Sequence, residues 1–545
     1  MRVTIHEYQR SKKKTFAKAA TLFWTGYPNQ LIADQDEQTV LTENIEPLFV
    51  IDKKGELVLA NGGTVSTTES TDSQPCQGMI PAVHAEDLGD TDFKRCYDTH
   101  LAYMGGAMAN GISSAAMVIA LTRAGALGSY GSGGVSMTTI EESIKDIQQA
   151  IGDKPFAVNL LHQPGRPDNE LALVELLLKY GVVALEASAF LTLSPAIIYY
   201  RLSGLSTSPE GTTRVKNRII AKISRPELAT LFMQPADPKI VAELLASGRI
   251  SHEQAQLAKH VPVADDITVE ADSGGHTDNR PMIALLPAII ALRDRLQTQY
   301  GYQQTIRIGA GGGISTPQAA LAAFQMGAAY IVTGSINQAC VESGTSQRVR
   351  QLLAQADMAD VVMAPSADMF EMGVKVQVLK KGTMFPMNAQ KLYELYRTYT
   401  SLDAIPADER LKLEKRILRK TCDEVWDDVQ VFFGRLDPQQ LQKAALDPKH
   451  KMALIFRWYL GKSSGWAIGN VPDRNMDMQI WCGPAMGAFN AWVKDSYLEL
   501  PENRQVADVA RHIVDGAAYL YRINLLRQTG FKMTNIRENY VPQPR

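Results

Sequence analysis

Between residues 97 and 375, short apolar runs alternate with amphipathic segments, and small-residue turns follow the runs. This alternation predicts an α/β chain with a parallel sheet and right-handed crossovers. Eight strand–helix units over about 275 residues fit a closed (β/α)8 barrel, for which ~250 residues is typical, better than an open doubly wound sheet. No G-x-G-x-x-G follows an early strand with an acid ~20 residues further on, which disfavours a dinucleotide-binding sheet.

Residues 1–96 read as a small N-terminal module. Residues 47–60 form a β-hairpin around Lys53-Lys54-Gly55-Glu56, and the polar, turn-rich stretch 62–77 reads as a surface loop or linker. The barrel follows over 97–375. Its strands are expected at 101–107, 126–130, 156–160, 182–187, 218–224, 267–271, 306–310 and 330–332. Helices are expected at 113–123, 138–151, 169–180 and 281–297, with another that opens at Thr316-Pro317 and ends near Gly327. Two insertions interrupt the pattern, a polar one near 203–216 and a helical one near 234–262. Residues 376–545 form a mainly helical C-terminal domain, with helical periodicity over 388–402, 407–426, 438–446 and 503–527. Its dense aromatics (Trp426, Phe432, Phe433, Phe456, Trp458, Tyr459, Trp466, Trp481, Phe489, Trp492) read first as core and packing seam. A hydrophobic substrate or a subunit interface, as in a homodimer, is the second reading.

Bulk composition excludes several function classes. With 545 residues, 45% hydrophobic, 21% charged and a formal charge of −2, the chain is globular and carries no electrostatic footprint for nucleic acid. Arg10-Ser11-Lys12-Lys13-Lys14 is a short basic run, read as a solvated terminus. No apolar stretch reaches the ~20 residues that span a bilayer, and no apolar segment follows the N-terminal charges. Five scattered cysteines without C-x-x-C spacing point to a reducing, cytoplasmic setting with neither disulfides nor zinc.

The most informative stretch is 306–335, which holds the last two barrel strands. Gly311, Gly312 and Gly313 follow the first of them, and Gly334-Ser335 the second. Glycine loops let backbone N–H groups approach an anion, a helix N-terminus adds its positive end, and loops after strands seven and eight are where such barrels hold phosphate. Catalytic groups of a barrel come from the C-terminal ends of its strands. Those positions here are Met108 and Asn110, 129–134, Asn159 and His162, Glu186 and Ser188, Lys222, 271–276, the glycine triplet, and Gly334 with Ser335. The sharpest run is Glu270-Ala271-Asp272-Ser273-Gly274-Gly275-His276, where paired glycines pass close to a flat partner and present His276, a group suited to proton transfer near neutral pH. A metal site at His276, Asp272 and Asp278 lacks supporting spacing. No G-x-S-x-G elbow is present, and Cys340 lies beyond the last strand, away from any nucleophile position.

Four motifs occur in order on the expected strands: Phe156-Ala157-Val158-Asn159-Leu160, the run from Glu270 to His276, Gly311-Gly312-Gly313-Ile314, and the stretch 327–335. This set resembles the nitronate monooxygenase and FabK-type enoyl reductase superfamily of FMN-dependent TIM barrels. The chain length, Met108-Ala109-Asn110-Gly111-Ile112, the insertions and the helical tail more closely resemble the PfaD-type enoyl reductases that act in trans with polyunsaturated fatty acid and polyketide synthases.

The resemblance implies FMN, with NADPH or NADH as reductant and enoyl thioesters on acyl carrier protein domains as substrate and partner. It implies that Asn159 contacts the flavin, that Gly275 with Gly274 lies against it, and that Gly311, Gly312, Gly313, Gly334 and Ser335 bind its phosphate. Met108 and Asn110 would lie beside the ring, and His276 matches the active-site histidine. Lys222, by its position, would reach the N1/O2 edge of the flavin. One departure is Asp272-Ser273, where the family carries Glu or Gln before Ala-Gly-Gly-His. Three alternatives remain open: a nitronate-oxidising flavoenzyme, a nucleotide barrel resembling inosine monophosphate dehydrogenase (which would need a cysteine in the strand-six loop), and a non-catalytic scaffold subunit.

Overall fold

The computed structural model describes residues 21–43, 46–163 and 165–544; the basic run at Arg10 lies outside them. The chain divides into two compact units, residues up to 87 with 516–540, and 88–515 with the last residues from 541. The sequence pattern places boundaries near 96 and 375 instead. No break falls at 375 because strand and loop segments of the tail hydrogen-bond to the barrel's own loops.

The first unit contains a five-stranded sheet in the order β3-β2-β5-β1-β4, from β1 (Leu22–Thr25), β2 (Leu48–Lys53), β3 (Glu56–Asn61), β4 (Thr64–Ser66) and β5 (Gln74–Ile80). The expected hairpin is β2–β3, closed at Lys53↔Glu56 by Lys54 and Gly55, whose φ values of 59° and 90° are those of a primed turn. The stretch 62–77 is not merely a loop, since β4 lies within it and β5 begins there, between β1 and β2. Its polar composition hides the strand: Pro75 and Gly78 interrupt the alternation, and the partner β2 shifts register at Val50/Ile51 to accommodate it.

The second unit is built on a closed barrel of eight parallel strands, and the expected fold class is borne out. The strands are β6 (Tyr103–Gly105), β7 (Leu127–Tyr130), β8 (Ala157–Leu161), β9 (Ala184–Ser188), β12 (Arg218–Ile223), β13 (Asp266–Glu270), β15 (Arg307–Gly311) and β16 (Ile331–Thr333). Each overlaps an expected strand. Side chains on both faces are apolar because helices cover the outside; Ile219, Ile220 and Ala221 are all buried. Ser114, Ser136 and Thr316 cap the helices Ala115–Arg123, Met137–Ile151 and Pro317–Gln325 by accepting backbone N–H groups. The first insertion folds as a hairpin of β10 (Leu205–Thr207) and β11 (Thr213–Val215), and the second carries the helices Pro238–Ala246 and His252–Leu257.

A small antiparallel sheet then forms at the barrel mouth, in the order β14 (Gly275–His276), β18 (Lys375–Leu379), β17 (Val361–Pro365). Beyond it the chain is mainly helical. The expected helix 407–426 is broken: Arg419 takes a left-handed φ of 54°, and a new helix, Cys422–Leu436, starts on the capping box Thr421/Glu424. The helix Pro448–Ile468 lacks an amphipathic period because its middle, 451–460, exposes no side chain on any face, with Met452, Leu454, Phe456 and Tyr459 fully enclosed. Most of the aromatic set packs in or against this core; Phe432 is 57% exposed.

Candidate active site at the barrel mouth

All eight barrel strands run parallel, so their C-terminal ends converge on one mouth. Met108 and Asn110 follow β6, Asn159 lies on β8, Lys222 on β12, Gly274 to His276 follow β13, Gly311 to Gly313 end β15, and Gly334 with Ser335 follow β16. The structure therefore brings every residue singled out from the sequence to the same end of the barrel.

The glycine triplet divides into three jobs. A Cβ on Gly311 would meet Thr268 Cγ2 at 3.0 Å inside the barrel, and one on Gly312 would meet the Ala271 carbonyl at 2.7 Å. Gly312 is thus required by the close approach of strand six and by its φ of +84°. Gly313 (φ +75°) faces open space, and so does Gly334 on the neighbouring loop. Two adjacent strand ends therefore leave open the volume that side chains would occupy, which suits a phosphate group. Ser335 joins them, and its Oγ accepts the Gly483 N–H at 3.2 Å.

Charged groups line the floor of the mouth. Lys222 Nζ lies 3.2 Å from Glu270 Oε1. Burial opposes the charge on Lys222, but the Glu270 and Glu186 carboxylates outweigh it and hold its pKa above the ordinary value. Glu186 crosses the barrel interior from β9: its Oε2 accepts the Ala107 N–H at 2.9 Å, while its buried Oε1 has no hydrogen-bond partner among the described residues. Asn159 donates Nδ2 to the Glu186 carbonyl at 3.0 Å and to Ser188 Oγ at 2.9 Å, fixing its amide on the rim. Asn110, in a left-handed conformation (φ 58°), bonds through its backbone to the Gly133 carbonyl at 2.6 Å and through Nδ2 to Ser464 Oγ at 3.3 Å. It ties the first two strand loops to the helical tail.

His276 is half exposed, and its Nε2 lies 3.2 Å from Asp368 Oδ1. Burial depresses the imidazole pKa, yet the Asp368 carboxylate prevails, aided by Glu270, and leaves it above the usual value. Asp368 correspondingly titrates below its usual range: burial raises it, and the bond to His276 more than offsets this. Sequence reasoning missed Asp368, which stands 92 residues away on the loop before β18. It also missed Gln377. This polar residue interrupts the apolar strand β18 and donates Nε2 to Asp272 Oδ1 at 2.9 Å and to the Ser273 carbonyl at 2.8 Å. Asn279 donates to the same carboxylate at 2.7 Å. The departure Asp272-Ser273 is thus an internal anchor for the loop that presents His276. Asp278 pairs instead with Arg225, so the three residues weighed as metal ligands go to separate partners. Among the described residues, no cluster of three or more His, Cys, Asp or Glu could hold a metal.

A family model described as nitronate monooxygenase matches residues 100–400. The chain belongs to that family. A second model, the inserted helical domain of [acyl-carrier-protein] S-malonyltransferase, matches residues 399–478. The chain is 47% identical over 522 residues to a polyunsaturated fatty acid synthase subunit of Thraustochytrium sp., covering 94% of this chain and 34% of that protein. It is 42% identical to the polyketide biosynthesis protein PksE of Bacillus subtilis, covering 90% of this chain and 63% of PksE. It thus spans only part of these relatives' length, about a third in the first case. Among solved structures, the enoyl reductase domain of MlnA, from the macrolactin biosynthesis cluster of Bacillus amyloliquefaciens, superposes with a TM-score of 0.78 at 39% identity, covering 81% of this chain and 99% of that one. The resemblance to the nitronate monooxygenase superfamily drawn from the four motifs is borne out, and so is the closer one to PfaD-type enoyl reductases drawn from the chain length, residues 108–112, the insertions and the helical tail. No described helix is long and apolar enough to cross a membrane.

Proposed function

We propose that this chain is an FMN-dependent enoyl reductase that uses NADPH or NADH to reduce the 2,3 double bond of enoyl thioesters carried on acyl carrier protein domains. It would act in trans in polyunsaturated fatty acid or polyketide biosynthesis, in a cytoplasmic setting. The observation that carries the reading is the pair of open glycine loops, at Gly313 and Gly334, on the same mouth as Lys222 and His276. The likeness to an enoyl reductase domain supports the choice of substrate class.

When bound, FMN supplies hydride-transfer chemistry, from the nicotinamide to the β-carbon of the enoyl thioester. The residues of the chain would do the rest. Gly313, Gly334 and Ser335 hold the phosphate through backbone N–H groups and one hydroxyl. Lys222, kept charged by Glu270, places a cation where negative charge accumulates in the reduced state. His276, paired with Asp368, would polarise the thioester oxygen as negative charge develops there or relay the proton that completes the reduction at the α-carbon. The acidic surface of a carrier protein is met by basic positions near the mouth and tail, among them Lys375, Lys380, Lys381, Lys391 and Arg397.

The deciding experiment is spectroscopic. The purified protein should be yellow, NADPH should bleach it under anaerobic conditions, and an enoyl thioester should restore the colour. Restoration by oxygen and a nitronate alone would identify a nitronate oxidase. A colourless protein that gains no stability from added FMN would identify a scaffold.

A further inference from the structure

The tail returns to the barrel mouth at residues 480–483 and touches the strand β18 and two barrel loops, those after β13 and β16. The Leu379 N–H donates to the Ile480 carbonyl at 2.8 Å, and Val378 and Trp481 form a β-bridge. The Cys482 N–H donates to the Gln377 carbonyl at 3.3 Å, and the Gly483 N–H to Ser335 Oγ at 3.2 Å. The contact is close-packed: a Cβ on Gly274 would meet the Cys482 nitrogen at 2.9 Å, and one on Gly483 would meet the Gly274 nitrogen at 3.0 Å. Both glycines are required by the approach of one backbone to the other.

A hydroxyl that accepts an N–H still has its own proton to donate. Ser335 directly follows the open position at Gly334, on the strand end that neighbours the one carrying Gly313, and the Gly483 N–H occupies one of its lone pairs. The oxygen is thereby fixed while its proton is free to turn towards an anion. We propose that residues 480–483 are a wall of the phosphate cradle. Gly483 is a positioning residue whose N–H holds Ser335 so that the serine hydroxyl donates to the phosphate of the bound ligand. The inference rests on the flavin reading above and extends it to a part of the chain outside the barrel.

The test compares FMN with riboflavin, which has the same ring and no phosphate, by quenching of flavin fluorescence on the apoprotein. In Gly483→Ala the new methyl group presses on the backbone of Ser273 and Gly274 and should lengthen the bond to Ser335. FMN affinity should fall about tenfold, the worth of one charge-assisted hydrogen bond, while riboflavin affinity holds. Ser335→Ala should cost the same, and the double variant no more than Ser335→Ala alone. In the wild-type protein, FMN but not riboflavin should slow amide exchange across residues 480–486, a measurement independent of whether the variants fold. Equal losses for the two flavins, additive losses, or equal protection by both would overturn the inference while leaving the flavin reading intact. A wild-type protein that binds neither flavin would overturn both.

Discussion

The two ends of the barrel bury charge in opposite ways. At the N-terminal end of the strands, Arg307 grips Asp266 with two bonds of 2.7 Å, Tyr97 donates to the same carboxylate at 2.6 Å, and Arg201 pairs with Asp265 at 2.6 Å. Burial works against the charge on Arg307, but the Asp266 carboxylate more than compensates and raises its pKa above the ordinary value. At the mouth, Glu186 keeps a buried oxygen with no hydrogen-bond partner among the described residues, Lys222 and Glu270 meet at a longer 3.2 Å, and His276 stands half in solvent. Buried charges with every partner in place close a structure, whereas incomplete satisfaction marks a place where something else binds or reacts.

Four substitutions would break or sharpen this contrast. The largest effect is expected at the closed end: Asp266→Asn leaves the Arg307 guanidinium buried without its counter-charge and should cost about 3–5 kcal/mol in urea unfolding. His276→Ala at the open end should leave unfolding nearly unchanged while lowering kcat for enoyl reduction by roughly a hundredfold or more. Gly313→Ala should weaken FMN binding by about tenfold in a fluorescence titration, because its methyl group enters the open cradle and its φ is positive. The smallest effect belongs to Asp368→Asn, read in a pH profile. Without Asp368 the imidazole loses what raises its pKa, so the limb of the kcat/KM profile that follows its deprotonation should move to lower pH.

The stability difference for Asp368→Asn has a defined sign. The folded state raises the His276 pKa, so that contribution is complete below the unfolded value near 6.5 and fades as pH rises through the folded one. The depressed Asp368 pKa contributes above an unfolded value near 3.8 and is lost as pH falls through the folded one. The difference should therefore peak between these limits and stay under ~1 kcal/mol, because both side chains are about half exposed.

The barrel was legible in the sequence because its strands alternate with capped helices in one repeating unit, and the same register carried Lys222, His276 and the glycines to the mouth. What escaped has physical reasons. The strand Gln74–Ile80 is polar and bulged, and the helix Pro448–Ile468 exposes no side chain through its middle, so neither shows a clean period. Asp368, Gln377 and residues 480–483 reach the site from 92 to more than 200 residues beyond His276, through pairing in a sheet that only the folded chain assembles. Gln377 alone left a trace, as a glutamine between valines in Lys375–Leu379.

The bond between Leu379 and Ile480 sets the ends of a hundred-residue excursion one hydrogen bond apart. The match to the inserted helical domain of a malonyltransferase, 399–478, falls wholly inside that excursion. A segment whose entry and exit coincide can be lengthened, shortened or exchanged with little change in loop-closure entropy. The helical region thus has the topology of an insertion that leaves and re-enters the barrel mouth at one point, and it is fastened there a second time where Asn110 meets Ser464 and Ser346 meets the Ala467 carbonyl.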